Sequence, residues 1–384
     1  AFVAEMTAHS SLSYQAWTEA RPANDFARMR PLLERTVELS RRYADFFPGR
    51  ASAADPHIDA SDPGMTAASV RALFDELRAR LVPLVRVITS RPPADDSCLR
   101  QRAPAADQLA FGLEVIRRYG YDLARGRCDL THHPFMTSFS PGDVRITTRL
   151  REDELVYALF STMHECGHAL YEQGIRRDFE GLPLATGASA GVHESQSRLW
   201  ENLIGRSLPF WEHFYPRLRE LFPAALQGVS LQAFHRGVNA VAPSLIRVEA
   251  DEVTYGLHIV LRFELEKRLI AKELEVEDLP DAWSEASQRL LGVRPTGDAE
   301  GVLQDIHWSM GSIGYFPTYA LGNLYAAQFF AAFAREHPAW PAEIRQGRFS
   351  ALREWLREKI HRHGKVYSAR ELCRRVTGSP LDPA

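Results

Sequence analysis

The sequence predicts a mainly α-helical protein with one short β-hairpin, organised as a single domain over residues 1–384. Three observations carry this. Apolar residues recur at helical spacing in eight segments, a single stretch alternates apolar with polar residues, and no repeat, low-complexity tract, Ser/Gly linker or break in composition divides the chain. A chain of this length can close one large core as readily as two ordinary ones, so the absence of a linker decides for one.

The first segment, residues 24–49, starts at the capping residue Asn24, repeats apolar residues with a helical period and stops at Pro48 and Gly49. The second, residues 65–90, has Thr66 as its cap and Pro83 as an expected kink. The third, residues 106–120, ends at Gly120, where glycine takes a left-handed stop without strain. The same reading extends over 153–173, 192–206, 249–272, 318–336 and 349–362. The exception is "HPFMTSFSPGDVRITTRL", where Pro141 and Gly142 punctuate an alternating pattern and predict a hairpin.

Composition narrows the function. With 45% hydrophobic and 25% charged residues, the chain has no apolar run of the roughly 18 residues that a membrane span needs. The formal charge of -3 offers no positive field for a nucleic-acid backbone. Cys98, Cys128, Cys166 and Cys373 form no CxxC pair, which argues against a thiolate metal site and fits reduced thiols in a cytoplasm. The opening "AFVAEMTAHSS" lacks the basic patch and apolar core of a signal peptide.

Chemistry concentrates in "HECGH". His164 and His168 are four residues apart, so a helix places both imidazoles on one face, one turn from each other. Two ring nitrogens can then converge on a zinc ion, and a catalytic zinc needs only three protein ligands, the fourth place going to a water whose pKa it lowers from 15.7 to about 7. Glu165, beside the first histidine, is the natural general base for that water. The third ligand is expected at Glu194, in the first turn of the next helix; His193, Glu201 and Glu172 are rivals that spacing alone leaves open. Cys166 turns away from the shared face and reads as a small buried apolar residue.

Six stretches in order, "HPF" at 133–135, "DVRIT" at 143–147, "HECGH" at 164–168, "HESQ" at 193–196, "IRVEAD" at 246–251 and "GVLQDIHW" at 301–308, resemble the motifs of the carboxypeptidase Taq family of metallocarboxypeptidases. The resemblance implies a helical fold with a deep groove and one zinc, cobalt or other divalent ion per chain on His164, His168 and Glu194, with Glu165 as general base. It also implies a cytoplasmic homodimer that removes single residues from peptides with a free C-terminal carboxylate, with broad specificity. Arg247 matches the position of the carboxylate anchor, a role for which a guanidinium fork is suited. Its structural alternative is an ion pair with Glu249 or Asp251.

Other candidates have two readings each. Arg145 lies on a strand with Asp143 and Thr147, either lining a peptide groove or braced structurally. Gln304, Asp305 and His307 could orient a ligand or stabilise an oxyanion, and Tyr315 and Tyr319 could donate to the same oxyanion. For His133 the structural alternative is a His-Pro-Phe turn that fixes a loop, whereas Trp308 reads as packing. The family's first helices are expected to be missing from the front. Two rival functions remain at this stage: an oligopeptidase with the same zinc chemistry, and a non-catalytic peptide binder.

Overall fold

The computed structural model of the chain describes residues 1–383. Among them are fifteen α-helices and three β-strands, the helical excess that the apolar spacing predicts. The chain gathers into two compact units, one of residues 1–92, 241–320 and 383, the other of residues 93–240 and 321–382.

The first unit is wholly helical. Helices Phe26–Asp45, Ala67–Thr89, Tyr255–Ile270 and Leu279–Leu291 enclose a core of Met29, Leu33, Val70, Phe74, Leu257, Leu261, Phe263 and Trp283. Phe74 meets Phe263 edge to face at 5.3 Å, and removing either ring would cost about 3–5 kcal/mol. Helix Phe2–Ala20, whose weak apolar period gave no prediction, precedes these. The first cap differs from expectation by one residue: Asp25 accepts from Arg28 N–H at 3.0 Å, while Asn24 sits at φ 55 and its Oδ1 accepts from Ala299 N–H. Thr66 caps as predicted, in a reciprocal pair with Ser69. Pro83 does not end its helix, because it lies on the exposed side, where water can satisfy the Ala79 carbonyl.

The second unit combines helices with a three-stranded sheet. Strand β1 (Cys128–Leu130) runs parallel to β3 (Asp143–Thr148), and β2 (Met136–Ser140) pairs with β3 antiparallel across the predicted Pro141–Gly142 turn. At three residues, β1 is too short to show an alternation, which is why only two strands were expected. Val144, Ile146 and Thr148 point inward, and Thr162 Oγ1 donates to Thr148 Oγ1 at 2.8 Å, tying β3 to the helix that carries HECGH. Gly120 ends helix Ala105–Tyr119 at φ 99 as predicted. An aromatic core of Phe111, Tyr119, Trp200, Phe210, Phe214 and Phe349 fills this unit. No described helix is long and apolar enough to cross a membrane.

Candidate functional site

HECGH sits in helix Tyr157–Gly174, which is buried on nearly all sides and so holds its side chains rigidly. The imidazoles of His164 and His168 stand side by side with ring centroids 5.0 Å apart. The next helix, Ala190–Arg198, begins at Ser189, whose hydroxyl accepts from Val192 N–H. Gly167 lets the two helices touch: a Cβ there would meet Gln196 O and Ser197 Cα at 2.5 Å. That approach brings Glu194 to the histidines, its Oε2 lying 3.3 Å from His168 Nε2 and 3.6 Å from His164 Nε2.

These distances test the fit to a metal. Four ligands about 2.1 Å from a tetrahedral zinc stand about 3.4 Å from one another. Glu194 meets that spacing with both imidazoles, and all three ligand atoms lie within 4.8 Å of one another. The far side of each ring is engaged. His164 Nδ1 donates to Glu201 Oε2 at 2.8 Å. His168 Nδ1 donates to His193 Nδ1 at 2.6 Å, and His193 Nε2 donates to Glu172 Oε1 at 3.0 Å. Both relays end on a carboxylate, which leaves the Nε2 lone pair of each histidine directed at Glu194.

The three rivals, Glu201, His193 and Glu172, thus stand on the Nδ1 side of the two imidazoles, away from the Nε2 atoms that meet Glu194. Glu201 also meets Arg198 at 3.4 Å, and Arg198 donates to Glu194 Oε1 at 2.8 Å. The predicted helix 192–206 is in fact α-helical only to Arg198 and then π-helical over Leu199–Ile204. The wider turn buries Trp200 against Tyr119 while Glu201 faces His164.

Electrostatics favour a cation here. Four carboxylates, on Glu165, Glu172, Glu194 and Glu201, are buried or nearly so, with Arg198 paired to two of them. Buried charges of one sign persist when they are paired or coordinate a metal. Burial alone would raise Glu194, but Arg198 and the imidazoles hold it well below the usual carboxylate range. Burial pushes Glu165 up to about 7, which suits a group that takes and returns a proton near neutrality.

The candidates from the other unit form a second cluster. Arg247 is buried, donating through Nε to Asp305 Oδ1 at 2.9 Å and through Nη1 to Tyr255 Oη at 3.0 Å. Its predicted alternatives, Glu249 and Asp251, are not its partners; Asp305 is. Asp305 also accepts from Arg262, which is completely buried, at 2.6 Å. Gln304 Oε1 accepts from Arg247 N–H and Arg262 Nη2, and its amide donates to the carbonyls of Leu245 and Glu300. Gln304 and Asp305 therefore brace the arginines. His307 Nε2 lies 3.0 Å from Tyr319 Oη, and its ring is 6.0 Å from that of Tyr315.

Arg145, in the second unit, gives its fork to Asp143 at 2.8 and 2.7 Å and lies over the Phe139 ring, an arrangement that favours the bracing alternative. Sequence reasoning missed Arg198 and Arg262. The first carried a signal, since positions 194, 198 and 201 fall on one helical stripe; Arg262, in a helix buried all round, carried none. Asp305→Ala would strand two buried guanidiniums and is expected to destabilise the protein by about 3–5 kcal/mol in urea unfolding. A loss below about 1 kcal/mol would mean that the pair is solvated.

A profile of the carboxypeptidase Taq (M32) metallopeptidase family matches residues 1–384. Among curated relatives, thermostable carboxypeptidase 1 of Thermus thermophilus is 47% identical, the match covering 97% of this chain and 75% of the relative. Carboxypeptidase 1 of Bacillus subtilis is 42% identical, with 96% and 74% covered. Among solved structures, the M32 carboxypeptidase of Deinococcus radiodurans superposes with a TM-score of 0.98 at 50% identity, covering 100% of this chain and 77% of that one. The Pyrococcus furiosus carboxypeptidase gives 0.97 at 38% identity, with 100% and 77% covered.

Proposed function

This chain belongs to the carboxypeptidase Taq (M32) family of metallopeptidases and is a metal-dependent carboxypeptidase, and from that premise we propose the roles of its residues. His164, His168 and Glu194 hold one zinc ion, Glu165 is the general base, and Arg247 receives the free C-terminal carboxylate of a peptide. The observation that carries this reading is the convergence of two Nε2 atoms and one carboxylate oxygen at the spacing of a tetrahedral edge. Two imidazoles and a carboxylate suit zinc, with cobalt the nearest alternative.

The ion supplies Lewis acidity toward water and the scissile carbonyl. The chain's own residues supply the rest. Glu201 and the His193–Glu172 pair fix the tautomers of the histidines, so that no ring has to turn. Glu165 takes the proton of the attacking water and returns it to the leaving amine. Asp305, Tyr255 and Gln304 hold Arg247, and its engaged contacts still leave N–H bonds on both Nη atoms for a carboxylate. His307 with Tyr315 or Tyr319 is the proposed donor to the oxyanion. Arg145 is kept as a groove residue only through its strand, its fork being filled by Asp143.

The free thiols of Cys98, Cys128, Cys166 and Cys373 suit a reducing cytoplasm, where we place the enzyme. The homodimer rests on the family resemblance, and sedimentation equilibrium tests it. Exopeptidase and oligopeptidase readings separate on one substrate pair. A peptide with a free C-terminus should lose its last residue, and its C-terminal amide should be cleaved roughly 100-fold more slowly or worse, since losing a charge-assisted fork costs about 2–5 kcal/mol. Equal cleavage of the amide at internal bonds would make the enzyme an oligopeptidase. Tight peptide binding with no amino acid released from either substrate would make the chain a binder.

A further inference from the structure

Helix Pro317–Glu336 carries a glycine, Gly322, in its interior, between Leu321 and Asn323. Glycine weakens a helix interior relative to alanine, and no left-handed backbone angle calls for it at this position, so its reason lies in space. A Cβ built on Gly322 would stand 2.5 Å from Cγ and 2.7 Å from Cβ of Glu194, and 3.3 Å from the Glu194 backbone carbon. Carbon atoms pack best at about 3.5–4.0 Å, so a methyl group here demands roughly 1 Å of retreat.

The Glu194 side has no room for it. The helix carrying Glu194 already rests on the HECGH helix at Gly167, where Gln196 O and Ser197 Cα would lie 2.5 Å from an added Cβ. Turning the Glu194 side chain away would break its bonds from Arg198 Nε at 2.8 Å and Ser197 Oγ at 3.3 Å. Metal ligands hold their distances to about 0.2 Å, far less than the displacement required.

We infer that Gly322 is a positioning residue of the metal centre: its missing side chain is the space the Glu194 stem occupies when the carboxylate faces His164 and His168. This rests on the reading of Glu194 as a ligand. It adds a residue from a third helix, remote in sequence from both ligand motifs, to those that set the affinity of the site.

The test compares Gly322→Ala, Glu194→Ala and the wild-type chain, each stripped by chelator and titrated with Co2+ while the d–d absorption is followed. Gly322→Ala should raise the Co2+ Kd about 10- to 100-fold and alter the absorption bands, as disturbed support of a ligand does. A Kd within about twofold of wild type with the same spectrum, beside a Glu194→Ala protein that has lost cobalt, overturns the inference alone. Wild-type cobalt affinity in Glu194→Ala overturns the ligand reading itself.

A second arm covers failure to fold. Glu194→Gly removes both side-chain atoms that the new methyl would strike, leaving the backbone carbon at 3.3 Å. The Gly322→Ala/Glu194→Gly protein should therefore unfold no lower than Glu194→Gly, since alanine also favours the helix. If the added methyl still lowers the midpoint in that background as much as it does in the wild type, the clash is not with the ligand stem and the inference falls.

Discussion

Glu165→Gln is expected to retain a full complement of divalent metal and to lose peptide hydrolysis by a factor of about 10²–10⁴. Glutamine keeps the shape and an oxygen acceptor, so it can still bind a water, but it cannot accept a proton at any working pH. Glu165 is only 7% exposed and stands outside the cluster of His164, His168 and Glu194, so neutralising its carboxylate leaves the ligand set intact. Metal analysis of the purified variant, followed by turnover of a free-acid peptide, checks both halves. Activity within about tenfold of wild type would pass the role of base to another group. Loss of the ion would show instead that Glu165 belongs to the coordination sphere.

Much of this was legible in the sequence because helices write their packing in a short local code. His164 and His168 share a face for the same reason that any residues four apart do, and Thr66 and Gly120 announce helix ends through chemistry confined to one turn. What stayed hidden depends on contacts far along the chain. Whether Glu194, Glu201, Glu172 or His193 completes the site depends on how closely two helices approach, and that approach is set by Gly167 against Gln196 and Ser197. The π-helical turn at Leu199–Ile204 is likewise a compromise between Trp200 and Glu201 that no period reveals. The ion pairs of Asp305 were likewise hidden, because its partners, Arg247 and Arg262, lie 58 and 43 residues away.

Glu194→Ala is expected to lose the ion altogether under ordinary purification, an affinity change larger than the 10- to 100-fold typical of a lost supporting contact. Removing the carboxylate leaves two imidazoles and no anionic ligand. No neighbour can substitute. Glu201 is bound to Nδ1 of His164, on the far side of the ring from Nε2, and Glu172 reaches His168 only through His193. The variant also removes the 2.8 Å ion pair of Arg198, 15% exposed at its side chain, and keeps its longer 3.4 Å contact to Glu201. Stability reports the same event independently of activity, because a ligand at 100 times its Kd stabilises the folded state by about 2.7 kcal/mol. Added zinc should therefore raise the unfolding temperature of the metal-free wild type and leave that of Glu194→Ala where it was. If zinc stabilised both proteins equally, the ion would be held without Glu194, and the convergence of its carboxylate on the two histidines would have to be explained as a hydrogen-bonded cluster instead of a metal centre.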